Sequence, residues 1–248
     1  MSDPICIRSD CFAHRQGRCS ILKDNNFGKR DCPFFKDRME AAYGSISFDH
    51  RAGVEQEELV LRALRSIPRR EDIEIIVVDD GSTDGTVAAV ESIMGDFPNI
   101  MLFRKIENTG IGMTKNLAYE LVHGKYVYQL DSDDYILSQP FCEVMDTYLN
   151  GNTDMIYVNC EVNSFAQLIV TQESKRGLCA GFLRFIRREF IGTTRCRPVR
   201  AAEDYFFNED LLAKNPTEIF TGICVYHYNF PRAGSLFDRM VKGESLEP

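Results

Sequence analysis

The chain has 248 residues, 44% of them hydrophobic, with a net charge of -8 at neutral pH and no tryptophan. That length and apolar content suffice for one main domain with a large core and a small appendage. The acidic balance speaks against a nucleic-acid groove, no run of about 18 apolar residues offers a membrane span, and the polar start PICIRSDCF lacks the apolar centre of a signal peptide, so a cytoplasmic location is expected.

Residues 1–40 stand apart. They carry 8 Lys and Arg against 6 Asp and Glu, or +2, which leaves 21 against 31, or -10, for the rest of the chain. Cys6, Cys11, Cys19 and Cys32 are separated by 4, 7 and 12 intervening residues in a polar stretch too short to build its own core. Four thiolates around Zn²⁺, with His14 as a spare ligand, would supply the missing folding energy. The spacing lacks a CxxC knuckle, so thiols packed on the main domain and an iron–sulfur cluster stay open as alternatives. The segment resembles small Cys-rich pieces ending in CPFFK, and its role is either docking to a protein partner or capping a sheet edge. The other cysteines, Cys142, Cys160, Cys179, Cys196 and Cys224, are scattered, and the odd total of nine argues against a disulfide framework.

A helix is expected from Gln56 to Ile67, whose Leu59, Val60, Ala63, Leu64 and Ile67 form one buried stripe. IEIIVVDDGSTDGT then runs from Ile73 to Thr86. Its apolar, β-branched start ends abruptly in Asp79 and Asp80, the pattern of a buried strand that delivers carboxylates to its carboxyl end. Asp84 can cap a helix that begins near Thr86 and buries Val87, Val90, Ile93 and Met94. Ile100 to Phe103 reads as a strand, Glu107 to Gly112 as a loop, and Leu117, Leu121 and Val122 as the apolar face of a helix stopped at Gly124. YVYQLDSDD, from Tyr126 to Asp134, repeats the first pattern with Asp131, Asp133 and Asp134 at its end.

Strand, helix, strand, helix, strand with right-handed crossovers gives a mostly parallel, Rossmann-like α/β sheet covered on both faces. Ligands of such sheets sit beyond the carboxyl ends of the strands, where these five carboxylates fall. They would repel one another without a cation. Oxygen-only ligands suit Mg²⁺ or Mn²⁺, whose usual companion is a diphosphate.

These residues carry a resemblance. VDDGSTDGT at 78–86, NTGIGMTKN at 108–116 and DSDD at 131–134 are similar to signatures of the family 2 glycosyltransferases, which have the GT-A fold and use nucleotide-sugar donors. The likeness is strongest over 45–140 and weaker over 181–237. It implies that Asp79 and Asp80 hold the nucleoside of a UDP-sugar or related donor. Asp131 and Asp133 would hold the ribose and a Mn²⁺ or Mg²⁺ ion on the diphosphate, with Lys115 and Asn116 near the nucleotide. Glu203 and Asp204 in AAEDYFF resemble the family's ED pair, whose aspartate is the general base of an inverting transfer. His227 matches a place where some relatives have a metal- or phosphate-contacting histidine, and Arg232 is a candidate phosphate clamp. Relatives open with an apolar strand ending in a proline and a Tyr-Asn pair near the base, which GSISFDHR at 44–51 lacks; Asp49 is a substitute polar contact. Processive relatives carry a tryptophan motif downstream of the ED pair, so one sugar per encounter is expected here.

Each site has a plainer reading: turn chemistry and a helix cap for the first loop, first-turn helix residues for Lys115 and Asn116, a solvated helix start for Glu203 and Asp204, and a half-buried strand residue for His227. Between Leu183 and Arg200, Arg184, Arg187, Arg188, Arg195, Arg197 and Arg200 alternate with Phe182, Phe185, Ile186, Phe190 and Ile191. This suits peripheral contact with an anionic membrane or an acceptor phosphate, or else a solvated basic face. The chain thus divides into a Cys-rich segment at 1–40, a GT-A-type domain at 41–240 and a polar tail at 241–248. The acceptor is expected to be a glycan, a lipid-linked sugar or a protein. Two other functions fit part of the pattern. A nucleotidyltransferase would need a Gly- and Lys-rich phosphate loop, which is not visible before Ile73, and a non-catalytic nucleotide-sugar or protein-binding module would not need a base.

Overall fold

The computed structural model describes residues 14–15, 18–19, 45–47, 54–162, 166–199 and 202–229. In the Cys-rich segment these are β1 (His14–Arg15) and β2 (Arg18–Cys19), paired antiparallel. The main domain starts with β3 (Ser45–Ser47), α1 (Val54–Ser66), β4 (Ile75–Asp79), α2 (Thr86–Ile93), β5 (Ile100–Arg104) and α3 (Ile111–Leu121). The sheet order is β5-β4-β3-β7, all parallel, where β7 is Gln129–Asp131.

Handedness decides the layers. The steps from β3 to β4 to β5 run one way across the sheet and the step to β7 runs the other way, so right-handed crossovers put α1 and α2 on one face and α3 on the opposite face. The packing agrees: α1 lies on α2, and α3 lies on β3 and β4. With both faces covered, all five residues of β4 are buried, which is why its sequence is an unbroken apolar run rather than an alternation. Val60, Ala63, Leu64 and Ile67 are buried under α1, and Val87, Val90 and Ile93 under α2. Asp84 accepts the N–H of Thr86 at 3.0 Å, while Gly85 occupies the cap position itself.

The second half departs from a single parallel sheet. The run 126–134 is not one strand: β6 (Tyr126–Val127) joins a different sheet before β7 joins the parallel one, and the turn after Asp131 leads into β8 (Tyr135–Ile136). Tyr128, between the two pieces, is buried against Phe141, Phe185 and Tyr226 and donates its hydroxyl to the carbonyl of Phe182 at 2.6 Å. The other strands are β9 (Met155–Val162), β10 (Ala166–Leu168), β11 (Arg184–Arg187) and β12 (Glu218–Tyr228), with helices α4 (Ser138–Tyr148), α5 (Arg188–Ile191) and α6 (Glu203–Leu212). This second sheet runs β6-β11-β9-β12-β8 with β10 on β9, and only β9 and β12 are parallel.

Most of the arginine-rich stretch is paired within the protein, with Arg188 and Arg197 at the surface. Arg184 is buried and held by Asn208 and the carbonyls of Cys179 and Ala180. Arg187 pairs with Asp154 and Glu189, Arg188 donates to the carbonyl of Gly124, Arg195 pairs with Glu120, and Arg197 pairs with Asp210. Phe182, Phe185, Ile186 and Ile191 belong to the core. Five of the six arginines are therefore tied to the protein itself, and the apolar residues between them face inward. Among the described residues no helix is long and apolar enough to cross a membrane.

Candidate active site

Register brings the first two carboxylate clusters to one level. Ser47 pairs with Val78 on one side and with Asp131 on the other, so Asp79 and Asp131 emerge from the carboxyl ends of strands flanking β3. Asp79 is buried and accepts the backbone N–H of Ser82 at 3.1 Å, together with the Ser82 hydroxyl. Gly81 turns the chain with φ 87°, and a side chain there would meet the backbone N of Asn108 at 3.1 Å. The two loops therefore close on each other only because this residue has no Cβ.

Asp80 does a different task. Its carboxylate accepts the N–H groups of Thr109 and Gly110, at 3.0 and 2.9 Å, and pairs with Lys105, whose ammonium also reaches the hydroxyls of Thr109 and Thr114. All of its described partners belong to the segment running into α3. Sequence reasoning passed over Lys105, although a lysine ending an apolar strand at the carboxylate end is a signal that could have found it.

The third cluster lies in the turn after β7. Burial raises the pKa of Asp131 to about 6; Lys115 opposes this, Asp133 adds to it, and a hydrogen bond from Gln129 opposes it again. Asp134 is pushed up to about 8, first by burial and then by Asp133 and Asp131, against hydrogen bonds from the N–H of Asn229 and the hydroxyl of Tyr226. Tyr226 donates to Asp134 at 2.7 Å, and its oxygen also accepts the N–H of Asp131 at 3.1 Å. Tyr226 therefore staples the turn to β12. The carbonyl of Asp133 accepts from Arg62 at 2.7 Å.

The ED pair opens α6, preceded by Ala202 in the left-handed region at φ 65°, a conformation that costs an alanine about 1–2 kcal/mol. Glu203 is buried, whereas the Asp204 side chain is 25% exposed. Lys115, 2% exposed, holds both, at 2.9 Å from Glu203 Oε1 and 2.7 Å from Asp204 Oδ1. Burial alone would lower its pKa, but Asp204, Glu203 and Asp131 raise it well above the ordinary value. Tyr119 stacks on Phe207 at 5.0 Å and clamps the same two helices together.

The remaining candidates separate from this centre. Asn116 binds the backbone of Cys196 through both amide atoms, at 2.9 and 2.7 Å, and so anchors the segment before α6. His227 turns Nδ1 to Glu161 at 2.8 Å and stacks on Tyr135 at 4.3 Å. Tyr226, its neighbour in the strand, points to the opposite side, toward the aspartates. Arg232, Asp49, Cys6, Cys11 and Cys32 lie outside the described residues, and of His14 and Cys19 only the backbone is described. Among the described residues no three His, Cys, Asp or Glu side chains form a ready-made metal cage. A Mg²⁺ or Mn²⁺ ion does not require one, because it binds through one or two carboxylates plus substrate phosphates. Burial first and neighbouring carboxylates second raise Asp131 and Asp134, and a bound cation would offset both, so the residues fit such an ion.

The site joins carboxylates on two strand ends of a parallel sheet to a further carboxylate pair on a helix. The comparisons make it specific. Residues 54–209 match the family described as Glycosyl transferase family 2, and the chain belongs to that family. It is 29% identical over 108 residues to an uncharacterized glycosyltransferase of Haemophilus influenzae, covering 42% of this chain and 43% of that protein. It is 34% identical over 88 residues to the poly(ribitol-phosphate) beta-glucosyltransferase of Bacillus spizizenii, covering 34% and 14%. The matched parts thus span less than half of these relatives. The fold is similar to that of S. aureus TarS in complex with UDP-GlcNAc, with a TM-score of 0.65 at 20% identity over 79% of this chain and 60% of that one. It is also similar to the mannosyltransferase PcManGT of Pyrobaculum calidifontis in complex with GDP-Man and Mn²⁺, with a TM-score of 0.60 at 19% identity over 82% and 59%.

Proposed function

We propose that the chain is an inverting, divalent-metal-dependent glycosyltransferase that moves one sugar per encounter from a nucleotide-diphosphate sugar, UDP-linked by preference, to an acceptor hydroxyl. The observation that carries the reading is Lys115, which meets Asp204 and Glu203 directly and feels the charge of Asp131. The donor end of the sheet and the base on α6 thus share one buried cation.

In this reading Asp79 faces the nucleoside, and Asp80, occupied by Lys105 and the N–H groups of Thr109 and Gly110, shapes the loop beside it. Asp131 and Asp133 hold the ion, and His227 is left to Glu161 and Tyr135. When bound, the ion stabilises as a Lewis acid the negative charge that develops on the departing diphosphate. Asp204, the more exposed of the ED pair, takes the proton from the acceptor hydroxyl as that oxygen attacks the anomeric carbon from the face opposite the diphosphate. A positioned base of this kind contributes roughly 10²- to 10⁴-fold. Glu203 stays inside and fixes Lys115, and Lys115 fixes Asp204. The acceptor is a glycan, a lipid-linked sugar or a protein; a relative whose name specifies poly(ribitol-phosphate) favours a polymer.

Thermal stability with and without Mn²⁺ across UDP, GDP, CDP and dTDP tests the donor half, followed by hydrolysis of the matching sugar donor. A nucleotide at 100 times its Kd stabilises by about 2.7 kcal/mol. A shift that needs Mn²⁺ and appears for one nucleotide, with slow release of that nucleotide from its sugar donor, supports the transferase. Binding without any turnover would point to a non-catalytic module instead. For the Cys-rich segment we propose a Zn²⁺ site at Cys6, Cys11, Cys19 and Cys32. Metal analysis after anaerobic purification should find about one zinc per chain, and zinc-free protein would sink the idea.

A further inference from the structure

We propose that Gln129 is a positioning residue that aims the carboxylate of Asp131, and that Gly181 is glycine in order to admit it. Gln129 and Asp131 are two apart on β7 and so share one side of the strand. Gln129 is 4% exposed, and its Nε2 donates to Asp131 Oδ1 at 2.8 Å. Only the N–H end of an amide can face a carboxylate, so the charge of Asp131 fixes which way the amide lies.

The other half of the amide is placed at a cost. Oε1 of Gln129 is buried and has no hydrogen-bond partner. A buried acceptor left unpaired weakens a fold, and an apolar side chain of the same size would pack there at least as well. The glutamine is therefore not explained by stability. Its donor half, which touches Asp131, is what the position supplies.

Gly181 forms the wall against this amide. A Cβ built on it would lie 2.7 Å from Cδ of Gln129 and closer still to Oε1. The glycine is not needed for its dihedral angles, because only Gly81, Gly110, Gly192 and Gly222 have positive φ among the described glycines. Nor is the wall free to retreat. It begins a 3-10 turn, Gly181–Leu183, held by the Leu183 N–H on the carbonyl of Ala180 at 3.1 Å and by the Tyr128 hydroxyl on the carbonyl of Phe182. A methyl group at 181 would push the amide off Asp131 rather than move the turn.

This inference rests on the reading of Asp131 as a donor-site ligand, and the test separates the two. Calorimetric titration measures Mn²⁺-dependent binding of UDP or GDP, whichever the parent chain binds, to Gln129→Met, Gly181→Ala, the double variant and Asp131→Ala. Residues that orient a metal ligand typically affect affinity by about 10- to 100-fold. We expect Gln129→Met to bind that much more weakly while melting no lower than the parent. Gly181→Ala should weaken binding in the parent background and add nothing to Gln129→Met. Parent-like affinity in Gln129→Met, or an equal cost of Gly181→Ala in both backgrounds, overturns the inference while Asp131→Ala still abolishes binding. If Asp131→Ala binds normally, the functional reading fails first and this one falls with it. Should Gln129→Met not fold, Gly181→Ala alone decides, and parent-like affinity overturns the proposal.

Discussion

The ammonium of Lys115 lies 2.7 Å from Oδ1 of Asp204, across 89 residues of sequence, and joins α3 to α6 at the mouth of the site. The same nitrogen holds Glu203, so one buried cation serves two carboxylates. Neither helix could shift without leaving charge unpaired in a dry place.

Lys115→Met should therefore be costly. It strands Glu203, which is buried, and removing one partner of a buried pair typically costs about 3–5 kcal/mol. Urea unfolding would show a lower midpoint, and transfer should fall further than nucleotide binding because Asp204 loses its anchor. An unchanged midpoint would mean that the helices are held by Tyr119 on Phe207 instead.

Asp80 and Asp79 are adjacent in sequence and should respond differently. Asp80→Asn leaves Lys105 as an unpaired buried ammonium and frees the loop into α3, so the loss is one of stability, about 3 kcal/mol by the same reasoning. Asp79→Asn should weaken nucleotide binding with a smaller change in the urea midpoint. Identical profiles for the two variants would contradict the division.

Asp134 gives the protein a pH signature. Its folded pKa of about 8 lies above the ordinary value of about 3.9, so the stability it contributes is complete below about pH 4 and is lost as pH rises through 8. Melting temperature in chelator should decline from pH 5 to pH 8.5, and Asp134→Asn should flatten that decline. A slope unchanged by the substitution would remove Asp134 as its cause.

Much of the first half was legible because its signals are local. β4, α2, β5 and α3 announce themselves by apolar runs, helical spacing and Gly at the turns, and their crossovers have only one hand. The second half was less legible because its sheet is made by distant pairings: β9 lies parallel to β12 more than 50 residues later, and β11 reaches back to β6. No local pattern marks the break at Tyr128 either, since the tyrosine looks like any strand residue until Phe141, Phe185 and Tyr226 surround it. At the site, residue types were readable but partners were not. Asp79 and Asp80 look alike in sequence, and only the fold brings Lys105 to the second. For the arginines of 184–197, the partners Asp154, Glu120, Asn208 and Asp210 come from elsewhere in the chain and no local pattern names them.

The central claim is that donor binding and proton removal are carried by different carboxylates on one site. Mn²⁺-dependent nucleotide binding and sugar transfer should be measured side by side on Asp133→Ala and Asp204→Asn. The account predicts that Asp133→Ala loses metal-dependent binding, while Asp204→Asn binds like the parent and transfers roughly 10²- to 10⁴-fold more slowly. Equal loss of binding in both variants, or undiminished transfer by Asp204→Asn, would contradict it.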